Sequence, residues 1–274
     1  MVKPSAILMG AKPGAAVALE ILLSRGWNVQ RVVVTRRPEP SWLPTPHLGE
    51  AADAAGVQVC TQPELPLDEP VDFVISYMYR NLVKAPTLAL ARRAALNFHA
   101  GPLPEFGGWA FYNVAILEDS PEYGCTCHHM DEGFDSGPLL EVRRFPIVAR
   151  QETAYSLERK AQAEMIRLFV DFCELAESGA ELPKIPQAPG ALRYLNAKEF
   201  AALKRIPEHA DADTIERYAR AFWFPPYECA YAEIDGHKVQ VIPELAKEEL
   251  ATLLHADDLE ALQLVAHGYA KSTG

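Results

Sequence analysis

Ala6-Ile7-Leu8-Met9-Gly10-Ala11-Lys12-Pro13-Gly14 is a short apolar run that breaks at a glycine- and proline-bearing turn. Ala15 to Ser24 follows, with Val17, Leu19, Ile21 and Leu22 set among alanines. The pattern predicts a strand, a tight turn and a helix that ends at Gly26. The same alternation repeats outward from it. Val29 to Thr35 holds Val32-Val33-Val34, a buried-strand run, and His47 to Ala55 reads as a helix stopped by Gly56. Val57 to Cys60 and Phe73 to Tyr77 read as strands, Ala85 to Ala94 as a helix, and Ala95-Leu96-Asn97-Phe98-His99 as a fifth strand. Strands separated by helices of about ten residues predict a mostly parallel α/β sheet with ligands outside its carboxyl edge. The Gly10/Gly14 turn matches neither the dinucleotide fingerprint nor the Walker loop. It reads either as a plain strand-to-helix turn or as one that also lines a pocket.

Farther along, Gly101 to Trp109 is a Pro/Gly-rich loop, Phe111 to Glu118 a helix and Gly124 to Met130 a strand. Asp131 to Gly137 is an acidic turn, and Leu139 to Pro146 a further strand. Thr153 to Ser178 is the longest helix, with Leu157, Met165, Leu168, Phe169 and Phe172 on its apolar face and Gly179 closing it. Pro183, Pro186, Pro189 and Gly190 form a linker. Beyond it come a helix at Asp213 to Ala221 and two strands, Glu228 to Ile234 and His237 to Ile242. These flank Asp235-Gly236, a favoured two-residue hairpin turn. A last helical stretch covers Leu245 to His267. The division expected is a large domain over residues 1–180 and a linker with a small domain over 181–274. At about 150 residues per domain, 274 residues agree with one large unit and one appendage.

Composition narrows the function. Hydrophobic content of 49% supplies a sizeable core and excludes a largely disordered chain. Twenty-six basic against thirty-seven acidic residues leave a net charge of −11, which disfavours broad nucleic-acid binding. No apolar run approaches the ~18 residues that span a bilayer, and the run from Ser5 to Gly10 is too short for a signal peptide. Cys60, Cys125, Cys127, Cys173 and Cys229 are scattered without a C-x-x-C pair, as expected of reduced thiols in a cytoplasmic protein.

Three polar residues carry chemistry by position. Asn97 and His99 stand two apart at the end of a predicted buried strand, so their side chains share a face where an open sheet presents ligands. Asp135 sits in the glycine-flanked turn after a later strand. Each alone is compatible with a structural role. Together an amide, an imidazole and a carboxylate can stabilise an oxyanion and manage a proton.

The text around them is more specific. Asn97-Phe98-His99-Ala100-Gly101-Pro102-Leu103-Pro104-Glu105-Phe106-Gly107-Gly108 resembles the N-x-H-x-x-x-L-P-x-[YF]-R-G loop of the folate-dependent formyltransferase family. Gly124-Cys125-Thr126-Cys127-His128-His129-Met130-Asp131-Glu132-Gly133-Phe134-Asp135-Ser136-Gly137 resembles that family's G-x-T-x-H-x-x-D-x-G-x-D-x-G segment, at matching spacing. The resemblance covers roughly residues 5 to 175, and residues 212 to 242 are weakly similar to the family's small carboxyl-terminal domains. It implies a Rossmann-like, mostly parallel sheet with helices on both faces. It also implies N10-formyltetrahydrofolate as co-substrate, no metal, and Asn97, His99 and Asp135 as the catalytic three. Asn81, Leu82 and Val83, with Asp131, Glu132, Gly133 and Phe134, match the pterin-contacting stretches. One position departs: the family's loop arginine is Gly107 here.

The resemblance implies formyl transfer to a primary amine, and the acceptor expected is an amino sugar carried on a nucleotide diphosphate. No nucleic acid and no membrane are expected as partners, and a homodimer is. Methionyl-tRNA formylation is the first alternative, set against the acidic charge and the loss of arginine at Gly107. Hydrolysis of formyltetrahydrofolate is the second, disfavoured because no regulatory domain fits ahead of Ser5. A catalytically dead binding module is the third. His128 matches a family position beside the site. A zinc reading of Cys125, Cys127 and His129 is disfavoured because strand residues rise about 3.3 Å each, setting the outer two too far apart for one ion. Phe222-Trp223-Phe224-Pro225-Pro226-Tyr227 reads as core, a dimer seam or a stacking surface for an acceptor base. Glu248-Glu249 and Asp257-Asp258 read as a solvated helix face.

Overall fold

Strands of a parallel sheet are buried on both faces and need apolar residues at consecutive positions, as Ala6, Ile7, Leu8 and Met9 supply, all of them buried. A computed structural model describes residues 3–11, 13–35, 46–109, 111–188, 190–225 and 227–246. The chain begins β1 (Ser5–Gly10), α1 (Pro13–Ser24), β2 (Asn28–Val33), α2 (Leu48–Ala54), β3 (Val59–Cys60) and β4 (Val71–Tyr77). It continues α3 (Ala85–Leu88), β5 (Ala91–His99), β6 (Gly107–Gly108), α4 (Phe111–Leu117), β7 (Glu122–His129) and β8 (Leu139–Pro146). Then follow α5 (Ala154–Ser178), β9 (Tyr194–Leu195), α6 (Ala197–Leu203), α7 (Ala212–Ala221), β10 (Tyr231–Ile234) and β11 (His237–Gln240).

Among the described residues one seven-stranded sheet runs β3-β2-β1-β4-β5-β7-β8. The pairs from β3 to β5 are parallel, whereas β7 lies antiparallel to both β5 and β8. The strand order reverses beside β1, which pairs with β2 on one side and β4 on the other. A crevice at the carboxyl ends is the consequence of such a switch.

Ala6, Leu8, Phe73, Ile75, Leu96 and Phe98 share the face packed by α1 and α5, while Ile7, Met9, Val33 and Val74 turn to the other, against Leu65, Val83 and Leu90. Phe98 is fully buried, with its ring 4.9 Å from Phe169 and 5.6 Å from Phe172 of α5. Strand side chains alternate, so anchoring Phe98 there turns Asn97 and His99 together to the opposite side. The long helix is capped as its ends predict: the Thr153 side chain accepts from Ser156 N–H, and Gly179 closes it.

The carboxyl-terminal elements share this core. Ile206, Ala221, Phe222 and Ala230 belong to the same cluster as the sheet. Buried Arg220 donates to the carbonyls of Ala149 and Glu152. The predicted hairpin forms as β10 and β11, antiparallel about Asp235-Gly236.

Two stretches differ from expectation. The helix expected over Ala85–Ala94 ends at Leu88, and Ala91 to Ala94 instead begin β5, with Ala91 opposite Val71 and Ala94 opposite Phe73. Alanine's helix preference is a weak prior that sheet pairing overrides. Arg93 seals the strand by lying 4.6 Å over the Phe73 ring and donating to Ala176 O. The region between the prolines and α7 also holds structure the sequence reading left blank, namely β9 and α6. The helix expected over Leu245–His267 lies, beyond Ala246, outside the described residues, as do Glu248-Glu249 and Asp257-Asp258.

Candidate active site

Asn97, near the end of β5, is already oriented. Ser76 Oγ on β4 donates to Asn97 Oδ1 at 2.7 Å, so the Asn97 amide turns its Nδ2 to His128 Nε2 at 3.0 Å. For His128 to accept there, its proton sits on Nδ1, which donates to His129 O at 2.9 Å. His99, two residues on, donates from Nε2 to Phe106 O at 2.7 Å, which leaves Nδ1 facing Asp135 Oδ1 at 3.8 Å. His128 Nε2 lies 3.6 Å from that same oxygen. Both distances are those of ion pairs rather than hydrogen bonds. The hydrogen bond to Asp135 comes from the Gly108 backbone N–H, 2.8 Å from Oδ2.

Asp135 is buried and holds a left-handed backbone, φ 54°. Burial alone would push its carboxyl up. The neighbouring His99 and His128 imidazoles and the hydrogen bond from the Gly108 N–H outweigh that and hold it well below the usual carboxylate range. Asp135 is therefore an anion at neutral pH. It is fitted to stabilise a cationic imidazole or to take up a proton in passing, and unsuited to serve as a resting acid.

The four side chains form one wall of a cavity of about 290 Å³. One flank comes from Tyr79, Asn81, Leu82, Val83, Met130, Asp131, Gly133 and Phe134. Asn81 and Leu82 are exposed and Val83 is buried. Asp131 Oδ1 accepts from Gly133 N and Ser136 Oγ, which shapes the turn. Of the expected folate residues, Glu132 alone is absent from the wall and points to solvent. An apolar flank bordered by exposed backbone suits a flat heterocycle with a hydrogen-bonding edge.

The other flank is legible in the sequence only through its aromatic cluster. Tyr112, Asn113 and Glu158 line it, with Phe200 and Lys204 from the end of α6. Asn196 caps α6 by accepting from Lys198 N and Glu199 N, and Glu199 completes a capping box. That N-x-x-E signature was available in the sequence. Phe222, Phe224 and Tyr227 also line this flank, whereas Trp223 is buried against Tyr155 and Cys229 and takes no part. Trp223 is thus unable to cover a base, which corrects that option for the aromatic cluster.

Gly107 has a physical reason. A Cβ there would come within 2.7 Å of Leu192 Cδ1 and 3.1 Å of Arg193 O. The segment after the linker crosses this loop, as β9 pairs with β6 and Gly107 N–H donates to Arg193 O. The cation absent at position 107 has a neighbour from elsewhere: Arg80, after β4, sets its guanidinium 5.3 Å over the half-exposed Trp109 ring. Gly108 has φ 74°, and a Cβ there would meet Leu195 O at 2.6 Å. Gly108→Ala is expected to cost about 1–3 kcal/mol through strain and to lower turnover as the Asp135 hydrogen bond is lost. A urea midpoint equal to the parent's would contradict the first expectation.

Cys125 and Cys127 point into the core rather than the cavity, and burial pushes the Cys125 thiol up to about 12. His129 instead hydrogen-bonds Pro183 O. No group of three His, Cys, Asp or Glu side chains able to hold a metal occurs among the described residues, and no described helix is long and apolar enough to cross a membrane.

The crevice at the strand ends and its Asn-His-Asp wall suit group transfer, and comparison with known proteins gives the family. Residues 64–172 match the formyl transferase family. The chain is 31% identical over 236 residues to methionyl-tRNA formyltransferase of Delftia acidovorans, across 79% of this chain and 71% of that one. It is 32% identical over 175 residues to GDP-perosamine N-formyltransferase of Brucella melitensis, across 64% of this chain. That match spans 65% of the Brucella relative's length. The chain belongs to the formyl transferase family. In fold it is similar to the Helicobacter canadensis N-formyltransferase solved with folinic acid and dTDP-3-aminofucose, with a TM-score of 0.67 at 20% identity over 87% of this chain and 86% of that one.

Proposed function

We propose that this chain transfers a formyl group from N10-formyltetrahydrofolate to the primary amine of a nucleotide-linked amino sugar. The observation that carries the reading is the convergence of Asn97, His99, His128 and Asp135 on one cavity wall. The co-substrate supplies an activated formyl carbon. Residues 79–83 and 130–135 hold its ring, and Asn97 Nδ2, joined by His99 once it has taken the amine's proton, stabilises the oxyanion formed as the amine nitrogen bonds to that carbon. Such donors are worth roughly 3 kcal/mol each. The amine's proton passes to His99 Nδ1, directly or through water, the Asp135 anion steadies the imidazolium, and that proton goes on to the folate nitrogen as the old C–N bond breaks.

The acceptor rests on chemistry and kinship together. The Brucella relative is named for GDP-perosamine and the Helicobacter structure holds dTDP-3-aminofucose. Aromatic Phe200, Phe224 and Tyr227 offer faces to a sugar or base, and Arg80 and Lys204 suit one diphosphate. A tRNA needs many more phosphate contacts than a chain of net charge −11 favours. In this reading the domain over residues 1–180 binds folate and carries the catalytic groups, and Tyr194 to Glu228 of the second domain, 181–274, help close the acceptor side. The unpaired thiols suit a cytoplasmic protein, and exposed Ile234, Val239 and Ile242 suit a homodimer, which sedimentation would test. The decisive experiment is an acceptor screen with formyltetrahydrofolate, scored by the mass gain of one formyl group. A nucleotide-linked amino sugar is expected to lead it. Methionyl-tRNA formylated as fast as the best small amine would overturn the choice.

A further inference from the structure

Asp135 holds a backbone conformation that non-glycine residues seldom adopt, φ 54°. Such a conformation persists where its surroundings over-determine it. The surroundings here include a side chain from a distant segment. Gln187, in the proline-rich strap after α5, donates from Nε2 to Asp135 O at 2.7 Å and to Gly137 O at 2.8 Å. Both partners are carbonyls, so the orientation of the amide is set by the network. Both amide protons are committed to this turn, and Gln187 Oε1 is left buried with no partner among the described residues. A buried oxygen left in that state calls for a reason, and gripping the turn provides one.

The same strap holds the other side of the site. Arg193 N donates to Pro104 O, while Gly107 N and Trp109 N donate to the carbonyls of Arg193 and Leu195. Gly108, between those two donors, supplies the hydrogen bond to the Asp135 carboxylate. One strap therefore clasps both loops whose meeting sets the carboxylate against His99. The clasp runs on to Ile185, bridged to Leu139, and to Pro183 O, bonded by His129.

We infer that Gln187 is a positioning residue: its amide fixes the Asp135 turn so that the carboxylate faces His99 and the Gly108 N–H. The inference rests on the proposed role of Asp135 in formyl transfer. Without the amide the turn relaxes and the carboxylate moves from the groups that favour its charge. The acid limb of the pH–rate profile then moves to higher pH.

The test uses Gln187→Met, close in shape and without donors, in the full chain. It reads kcat, the KM for formyltetrahydrofolate and the pH–rate profile. Expected are a fall in kcat of about tenfold, a folate KM within about twofold of the parent, and the upward shift of the acid limb. In an Asp135→Asn background the same change is expected to add almost nothing, because residues that act through one another are not additive. Gln187→Glu, which sets acceptors against two carbonyls, is expected to lower kcat further and serves if the first variant does not fold. A parental kcat and profile in either folded variant would overturn the inference. So would a full additive loss on Asp135→Asn, or a rise in folate KM with kcat unchanged, which would make Gln187 a support of the pterin wall only. Parental turnover by Asp135→Asn itself would instead remove the proposed mechanism, and the inference with it.

Discussion

His99→Ala is expected to lower turnover by two to three decades while folate binding stays within a few-fold of the parent. The imidazole spends its Nε2 proton on Phe106 O, so the nitrogen left for chemistry is Nδ1, beside Asp135. A group in that place acts on charge that develops during transfer and adds little to the resting complex. Its loss falls on kcat rather than on KM, with about 3 kcal/mol as the scale of one oxyanion donor. The folate flank is built from other residues, with Tyr79, Val83 and Met130 on its apolar side, and none of them bonds His99. Single-turnover rates with saturating formyltetrahydrofolate, beside fluorescence titration of folate binding, check both halves. Turnover near the parent's would remove His99 from the mechanism. An equal collapse of binding and rate would make it a structural residue of the Phe106 loop.

The strand that carries His99 was legible because its pattern is local. Asn97-Phe98-His99 alternates, and burying Phe98 under α5 leaves a single side for the two polar residues. The acidic turn was legible through its glycines, and the end of α5 through Thr153 and Gly179. The failures have a different physical origin. Ala91 to Ala94 carry helix-forming residues, and pairing with β4, which no window of sequence contains, draws them into β5. Gln187 lies in a stretch whose prolines suggest only a linker, and its meaning comes from two carbonyls some fifty residues earlier in the chain.

Gly107 shows the same limit from the other side. Compared with the family loop, its missing arginine reads as lost charge. In the folded chain it is a matter of room, since Leu192 and Arg193 occupy the space a side chain would need. The acceptor flank was legible only in part. Phe222, Phe224 and Tyr227 were marked as an aromatic cluster, but the burial of Trp223 against Tyr155 depends on how that segment docks onto α5. Phe200 and Lys204 reach the cavity because α6 is placed there, and its Asn196 cap announces a helix without saying where the helix goes.

Asp135→Asn is expected to cut turnover by at least two decades and to change stability in a pH-dependent way. Asparagine is the informative replacement. It tolerates the left-handed backbone that Asp135 holds, and its Oδ1 can still accept from the Gly108 N–H, so the substitution removes charge and little else. Rate should fall because no anion then faces His99 and His128 when the amine gives up its proton. The stability effect follows from the depressed carboxyl. A carboxylate favoured by the fold contributes stability that is fully present above its unfolded value, near 3.9, and is lost as pH falls through its folded value. The gap between parent and variant should therefore be widest above about pH 4 and close as the solution is made more acid, as urea melts at neutral and acid pH would show. An unchanged rate and pH–rate profile would leave Asp135 a turn residue. A stability gap that widened toward acid would mean that the histidines and the Gly108 N–H do not favour the charged form, and the electrostatic account of the site would have to be rebuilt around His128.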